Sequence, residues 1–331
     1  MANLEVAEGA TLRAILDQTY TIWCEGLTPK AYERHYTAQL ATAWGRQHLR
    51  RFALVAGTEV LASAKEYTFD ALIDGGPIRV VGLGAVFTNP AHRGGGAARD
   101  VIEQIVARAA ADGADLALLF SEIGPDYYAR LGFETIAIPE RSLRVTESVR
   151  HGAPATLVRA AEDRDLADIV AMGEVRARPF RFHLARDRDL VQYAIAKKRL
   201  LAGLGPAGAR EVQFFIAEEG ASAAAYVMMT ASRRLGVVGS TVEWRLEECG
   251  DRDPSGARVG AILQALVARD PAESRPAITA WLPPGFCPPQ ITIVAERPSS
   301  DVMMVRALSV GAKAALPIAA NDVLYWRSDA F

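Results

Sequence analysis

Cysteine is scarce in this chain of 331 residues, and the three present, Cys24, Cys249 and Cys287, stand far apart. They lack the paired spacing of a zinc site or a disulfide framework and read as reduced, mostly packed thiols. An excess of one charge is lacking too: 37 Lys and Arg meet 39 Asp and Glu, for a formal net charge of −2. Nothing global therefore argues for nucleic acid or an anionic membrane as partner. No apolar run approaches the length of a membrane span. Residues 1–9 carry Glu5 and Glu8 and lack the basic start and apolar run of a secretory signal. These absences lead us to expect a cytoplasmic protein without a metal centre. Half of the residues are hydrophobic, and the length exceeds one ordinary core, so two domains are expected, 1–150 and 151–331.

The stretch Val86-Phe87-Thr88-Asn89-Pro90-Ala91-His92-Arg93-Gly94-Gly95-Gly96-Ala97-Ala98 organises the first half. An apolar run ends in a polar turn, the turn runs into three glycines, and an amphipathic segment follows. Glycines let the backbone take positive φ and approach a ligand closely. The first N–H groups of a helix and its dipole favour negative charge, so a pyrophosphate would be held well here. The glycines alone fit an ordinary strand-to-helix turn equally well.

Around this stretch the periodicity predicts helices over residues 11–23 and 28–44, then three antiparallel strands over 51–56, 60–69 and 78–88. Val101, Ile102, Ile105, Val106 and Ala109 make one face of the next helix. Residues 116–120, Leu-Ala-Leu-Leu-Phe, are a continuous apolar run, as expected of a strand buried on both faces and parallel to a neighbour. Asp126 is placed to cap a short helix that carries Tyr127 and Tyr128 and stops at Gly132.

These residues resemble the GCN5-related N-acetyltransferase (GNAT) superfamily over about residues 83–133. Arg93-Gly94-Gly95-Gly96-Ala97-Ala98 matches its cofactor motif, Arg/Gln-x-x-Gly-x-Gly/Ala. Tyr128-Ala129-Arg130-Leu131-Gly132-Phe133 matches its later Tyr-x-x-x-Gly-Phe. Each is weak alone; both in order are specific. The resemblance implies an α/β (α+β) mixed-sheet fold and acetyl-CoA as cosubstrate. It implies that the turn's amides hold the pyrophosphate and that Val86, Phe87 and Thr88 pair with the pantetheine arm. A gap between that strand and the one ending at Ser121 would admit the thioester, and Tyr128 would protonate the departing thiolate.

A narrower resemblance is to the enhanced intracellular survival (Eis) proteins, tandem-domain bacterial acetyltransferases with a Ser-Glu dipeptide ahead of Tyr-x-Arg-aromatic-Gly-aromatic. Ser121-Glu122 precedes the Tyr128 motif here, but the spacer is two residues longer and Leu131 replaces an aromatic, which keeps Tyr127 open as the functional tyrosine. In that family the C-terminal carboxylate enters the first domain's active site as general base, and this chain also ends in phenylalanine. The resemblance thus implies Phe331 as the base, with Glu122 as the side-chain rival. Tyr325, Trp326 and Phe331 fit equally well as residues that pack the tail down.

The pattern restarts after residues 150–154. Strands are expected over 155–159, 212–217, 223–230, 237–244 and 277–282, and helices over 163–172, up to residue 201, and around Val259 to Val267. This repeats the order of the first half and reads as a second, degenerate acetyltransferase-like domain. Its counterpart of the glycine turn, Glu247-Glu248-Cys249-Gly250-Asp251-Arg252-Asp253-Pro254-Ser255-Gly256, is acidic where a pyrophosphate needs donors. Pro283, Pro284, Pro288 and Pro289 occupy the place of the tyrosine helix. One strand over 302–308 and a tail complete the chain.

The expected activity is transfer of the acetyl group of acetyl-CoA to a primary amine of a small molecule or peptide. Aminoglycoside-like polyamines are suggested by the resemblance alone. The alternatives are a non-catalytic acyl-CoA sensor or scaffold and, from a different tandem arrangement, a mycothiol-synthase-like enzyme. The oligomeric state is open.

Overall fold

A computed structural model describes residues 2–146, 157–236, 239–268, 275 and 277–331. The chain forms two compact units. The first comprises 1–137, 300–319 and Phe331, and the second 138–299 and 320–330. They are not the contiguous halves 1–150 and 151–331: the break in sequence falls before residue 138, and a later segment returns to the first unit. The junction expected at residues 150–154 lies outside the described residues.

The first unit contains β1 (Asn3–Val6), α1 (Gly9–Trp23), α2 (Pro29–Leu40), α3 (Ala43–His48), β2 (Leu49–Ala56), β3 (Glu59–Ile73), β4 (Gly76–Thr88), α4 (Ala97–Ala111), β5 (Leu116–Ser121), α5 (Asp126–Ala129) and β6 (Glu134–Ile136). The second contains β7 (Pro139–Val145), β8 (Leu157–Ala160), α6 (Leu166–Ala177), β9 (Phe182–Leu184), α7 (Arg188–Leu204), β10 (Arg210–Glu219), β11 (Ser222–Gly236), β12 (Gly239–Asp251), α8 (Ala257–Val267), β13 (Ile278–Ala280) and β14 (Ile291–Pro298). The chain then supplies β15 (Val302–Ala307) and α9 (Val310–Ala315) to the first unit and β16 (Val323–Leu324) to the second.

Within the first unit the strand order is β1-β2-β3-β4-β5-β15-β6; within the second it is β14-β7-β13-β12-β11-β10-β8. Each of these sheets has one parallel neighbour pair, β4 with β5 and β12 with β13, and a helix, α4 or α8, connects its two members. Every other neighbour pair within these two strand orders is antiparallel, while β9 and β16 form a short parallel pair of their own. Next to each parallel pair lies a strand that sequence order alone would assign elsewhere: β15 beside β5, and β7 beside β13. The repeat expected from the sequence is present, with these two strands exchanged.

Local chemistry explains the boundaries. The single helix expected over 28–44 is two helices. The Thr42 hydroxyl donates to the Gln39 carbonyl at 2.8 Å and accepts from Gly45 N at 2.9 Å, which closes α2 and caps α3. Asp126 proves to be the first helical residue of α5, not its cap. On one face of the first sheet, Val101, Ile102, Ile105 and Val106 of α4 pack against Phe52, Leu54, Val81, Leu83, Ala117 and Leu119. Alternation puts Arg51, Ser63, Lys65, Tyr67 and Phe69 on the other face.

Candidate active site

The parallel β4/β5 ladder runs from Val80 paired with Leu116 to Leu83 paired with Leu119, and stops. Beyond it, β5 continues for two residues and β4 for five. The far end of β4 remains held to β3, with Phe87 opposite Ser63 and Thr88 opposite Ala62. Ala85 and Val86 together oppose the single Ala64, and Ala85 takes φ of +46°. This bulge turns the end of β4 at a point where the β5 side has no strand partner. Among the described residues no strand pairs with β4 on that side beyond Leu83, which leaves this edge open to an extended ligand.

The turn after β4 is fixed from below. The Asn89 amide donates to Val60 O at 3.1 Å, and its side-chain oxygen accepts from Ala91 N at 3.1 Å. His92 pairs with Glu59 at 2.8 Å. Gly94 and Gly96 then take φ of +79° and +87°, and a Cβ on Gly94 would meet nothing within 4 Å. Such backbone disfavours any side chain while leaving the approach open. The first bond of α4 is Asp100 N to Gly96 O at 3.0 Å. The amides of Ala97, Ala98 and Arg99 stand ahead of that ladder, pointing out of the helix start. Arg93, Gly94 and Gly95 are exposed. The arrangement suits a pyrophosphate.

Ser121 ends β5 and is buried, and its hydroxyl donates to Gly124 O at 2.5 Å. It shapes the turn and has no proton left for a ligand. Glu122 is exposed on that turn; partial burial first, then the Asp301 and Glu25 carboxylates, push its pKa up. Tyr128 is buried on α5, edge-on to Tyr127 at 5.1 Å and to Phe133 at 6.1 Å. Burial pushes its phenol up to about 12, so it holds its proton at neutral pH. Tyr127 is half-buried with a pKa also raised by burial.

Phe331 belongs to the first unit. Its ring stacks on Tyr67 at 4.4 Å and Phe69 at 5.5 Å and meets Phe120 edge-on at 5.6 Å. Beneath it lie Gly82 and Gly84 of β4. A Cβ on Gly82 would come 2.5 Å from Phe331 Cζ; one on Gly84 would come 3.1 Å from Cδ2 and 3.5 Å from the carboxyl carbon. The two glycines make the floor on which the last residue rests. In the second unit, Asp329 pairs with Arg186 at 3.1 Å, the Ser328 hydroxyl donates to Glu248 at 2.7 Å, and Lys197 donates to Ala330 O at 2.5 Å. The residues preceding Phe331 are thus held by buried polar bonds.

Among the described residues the second unit has no comparable cradle. Glu247 and Glu248 do not belong to a turn; both lie in β12 and are buried against Lys198 and Arg186. Gly256 begins α8 with φ of +73°, but the Asp251 carboxylate accepts from Arg258 N at 2.9 Å and Val259 N at 3.4 Å. The chain's own anion occupies the helix start. Residues 283–290 form turns without a helix, as the prolines led us to expect.

Sequence reasoning overlooked Gly82, Gly84 and the bulge at Ala85, and it quoted Asn89 and His92 within the turn without giving either a role. The Gly-x-Gly in β4 was the available signal, since glycine inside a buried strand marks a close approach. Among the described residues there is no cluster of potential metal ligands, and no helix is long and apolar enough to cross a membrane.

A mixed sheet that opens beside a glycine turn at the head of a helix, repeated once without the turn, defines a tandem α/β architecture of two mixed sheets. Residues 14–136 match the family model described as acetyltransferase (GNAT) domain. A GCN5-related N-acetyltransferase from Anabaena variabilis superposes with a TM-score of 0.67 at 11% identity, over 94% of this chain and 74% of that one. Eis1 from Mycobacterium abscessus gives 0.57 at 14% identity, over 95% and 76%. The Saccharomyces cerevisiae N-myristoyltransferase with bound myristoyl-CoA gives 0.54 at 10%, over 92% and 82%. At these identities the likeness is one of fold. No curated protein matches.

Proposed function

We propose that the chain is an acetyl-CoA-dependent N-acetyltransferase whose first unit performs the chemistry and whose second unit is a degenerate copy. The observation that carries this reading is the β4/β5 ladder, which ends at Leu83 and Leu119 directly ahead of an open glycine turn and the free amides of α4. The turn residues Arg93 to Ala98 receive the pyrophosphate, and the free edge of Val86, Phe87 and Thr88 takes the pantetheine arm. The GNAT match supports an acyl-CoA, and the myristoyl-CoA held by the yeast neighbour supports it independently.

An amine attacks only as the free base, although an alkyl ammonium ordinarily titrates near ~10.4, so the site must take a proton from it. We assign that role to the Phe331 carboxylate, which the glycine floor and three aromatic rings hold over β4. The amine nitrogen forms a bond to the thioester carbon, and its proton passes to the carboxylate. The tetrahedral intermediate collapses with cleavage of the C–S bond, and the thiolate takes a proton from Tyr128, whose raised pKa keeps it loaded. Glu122 is the weaker candidate for base, being exposed on its turn. Release of CoA thiol with a panel of amines tests the reading. Turnover on at least one primary amine is expected; tight acetyl-CoA binding without turnover on any amine would favour the non-catalytic sensor.

A further inference from the structure

Two cations face each other on the sheet face that carries Phe331. Arg51 of β2 and Lys65 of β3 are cross-strand partners, and Lys65 is in turn paired with Gly84, the last residue before the β4 bulge. The Arg51 side chain is 2% exposed. One of its nitrogens donates to Ser63 Oγ at 3.1 Å, while its Nε is buried without any partner. Lys65 Nζ lies 5.3 Å from the centre of the Tyr36 ring and makes no hydrogen bond or ion pair with a described residue. Neither cation has a carboxylate within 4.0 Å among the described residues. Glu66, the nearest acid in sequence, points to the opposite face and pairs with Arg108. The Phe331 carboxyl group sits over Gly84 without reaching ion-pair distance of either.

Like charges across a strand pair repel, and a buried charge without a counter-ion is strongly destabilising. Burial, with Arg51 adding to it, pushes the Lys65 ammonium down to about 7, and burial lowers Arg51 as well. The surrounding Tyr32, Tyr36 and Tyr67 are phenols, able to donate to an anion but not to neutralise a cation. Folding alone would favour apolar residues at both positions. Lys65 retains some solvent access, so a ligand can reach it. What the cluster lacks is one negative charge.

We propose that Arg51 and Lys65 form an anion subsite of the acceptor site, so that the amine acetylated by this protein carries a carboxylate close to its nitrogen. The acceptor is then an amino acid or an amino-acid-like molecule and not a polyamine. This rests on the acetyltransferase reading above. It adds that the bound carboxylate bridges two strands beside the β4 bulge and so orients the amine.

The test compares kcat/KM for glycine, β-alanine and 4-aminobutanoate with that for their carboxamides and for spermidine, using CoA thiol release. Charge-assisted hydrogen bonds to two cations predict about a 10- to 100-fold preference for at least one carboxylate over its amide. Lys65→Met should abolish that preference with the KM for acetyl-CoA unchanged, and Lys65→Arg should restore part of it. Equal or better use of the carboxamides or of spermidine would overturn the proposal while leaving the acetyltransferase intact. So would a preference that survives Lys65→Met. If none of the amines is acetylated, the acetyltransferase reading fails, and calorimetric titration of the CoA-loaded protein with N-acetyl-β-alanine decides the subsite alone. Binding lost in Lys65→Met upholds it, and absence of binding overturns it.

Discussion

Replacing Gly82 by alanine tests whether the floor of β4 positions the terminal carboxylate. The new methyl would lie 2.5 Å from Phe331 Cζ and 2.9 Å from Cε1, whereas carbon atoms settle at about 3.5–4.0 Å. The ring must therefore retreat by roughly 1 Å. Retreat is opposed by Tyr67, Phe69 and Phe120, each pair contributing about 0.5–1.5 kcal/mol, so the displaced tail gives up about 1–3 kcal/mol of aromatic contact. The carboxylate belongs to the same residue and moves with the ring. A displacement of about 1 Å at a reacting group lowers turnover on the order of 100-fold. We expect that loss in kcat by CoA thiol release at saturating amine, with the KM for acetyl-CoA unchanged, because the glycine turn is untouched. Phe331→Ala keeps a terminal carboxylate and removes the ring. Combined with Gly82→Ala it should cost less than the sum of the two single changes, with a coupling of about 1–3 kcal/mol. Wild-type turnover in Gly82→Ala, or strict additivity in the double variant, would refute the claim that this contact places the base.

Three further expectations use different parts of the site. Tyr128→Phe should lower kcat by about 100-fold or more, the range for loss of a general acid, while leaving acetyl-CoA affinity in equilibrium titration nearly unchanged; full turnover would remove Tyr128 from the mechanism. Gly96→Val forces a β-branched residue into φ of +87°, at a strain of about 1–2 kcal/mol, and should raise the KM for acetyl-CoA with a smaller effect on kcat; an unchanged KM would show that the turn does not hold the cofactor. Lys65→Met removes a buried ammonium whose pKa lies at about 7 in the fold against 10.5 outside it. Below about pH 7 both states are protonated and the native state bears the whole burial penalty; between pH 7 and 10.5 the native lysine is neutral and the penalty fades. The substitution should therefore stabilise the protein by about 1–3 kcal/mol near pH 6, with the gain shrinking by pH 10 in chemical denaturation. A gain that grows with pH would contradict the lowered pKa.

The parts of the fold legible in the sequence were those set by local rules. The periodicity of Val101, Ile102, Ile105 and Val106 announced α4, and the unbroken run at residues 116–120 announced a strand buried beside a parallel partner. The glycines of the turn were legible because positive φ leaves so few alternatives. Strand exchange was not legible. Val302 to Ala307 reads as a strand wherever it pairs, and only the completed sheet shows that Met304 lies opposite Leu119 of β5. The Arg51 and Lys65 pair was hidden for the same reason: fourteen positions separate them in sequence, and only the β2/β3 register places them side by side.

The second unit explains why, among the described residues, the cradle of the first sheet is not repeated. Both copies begin their helix after a glycine in the left-handed region, Gly96 before α4 and Gly256 before α8. The backbone device for exposing amides is present in each. The difference is one carboxylate. In the first unit no described acidic group bonds the amides of Ala97 and Ala98, and Asp100 is engaged sideways with Arg99 at 3.5 Å. In the second, Asp251 accepts from two amides of α8 and its other oxygen takes Arg258 at 3.1 Å. A helix start satisfied from within gains about 0.5–2 kcal/mol as a capped end and offers a phosphate only repulsion. The same geometry thus leaves the helix start open in one copy and capped in the other, and the difference lies in the residue that ends β12.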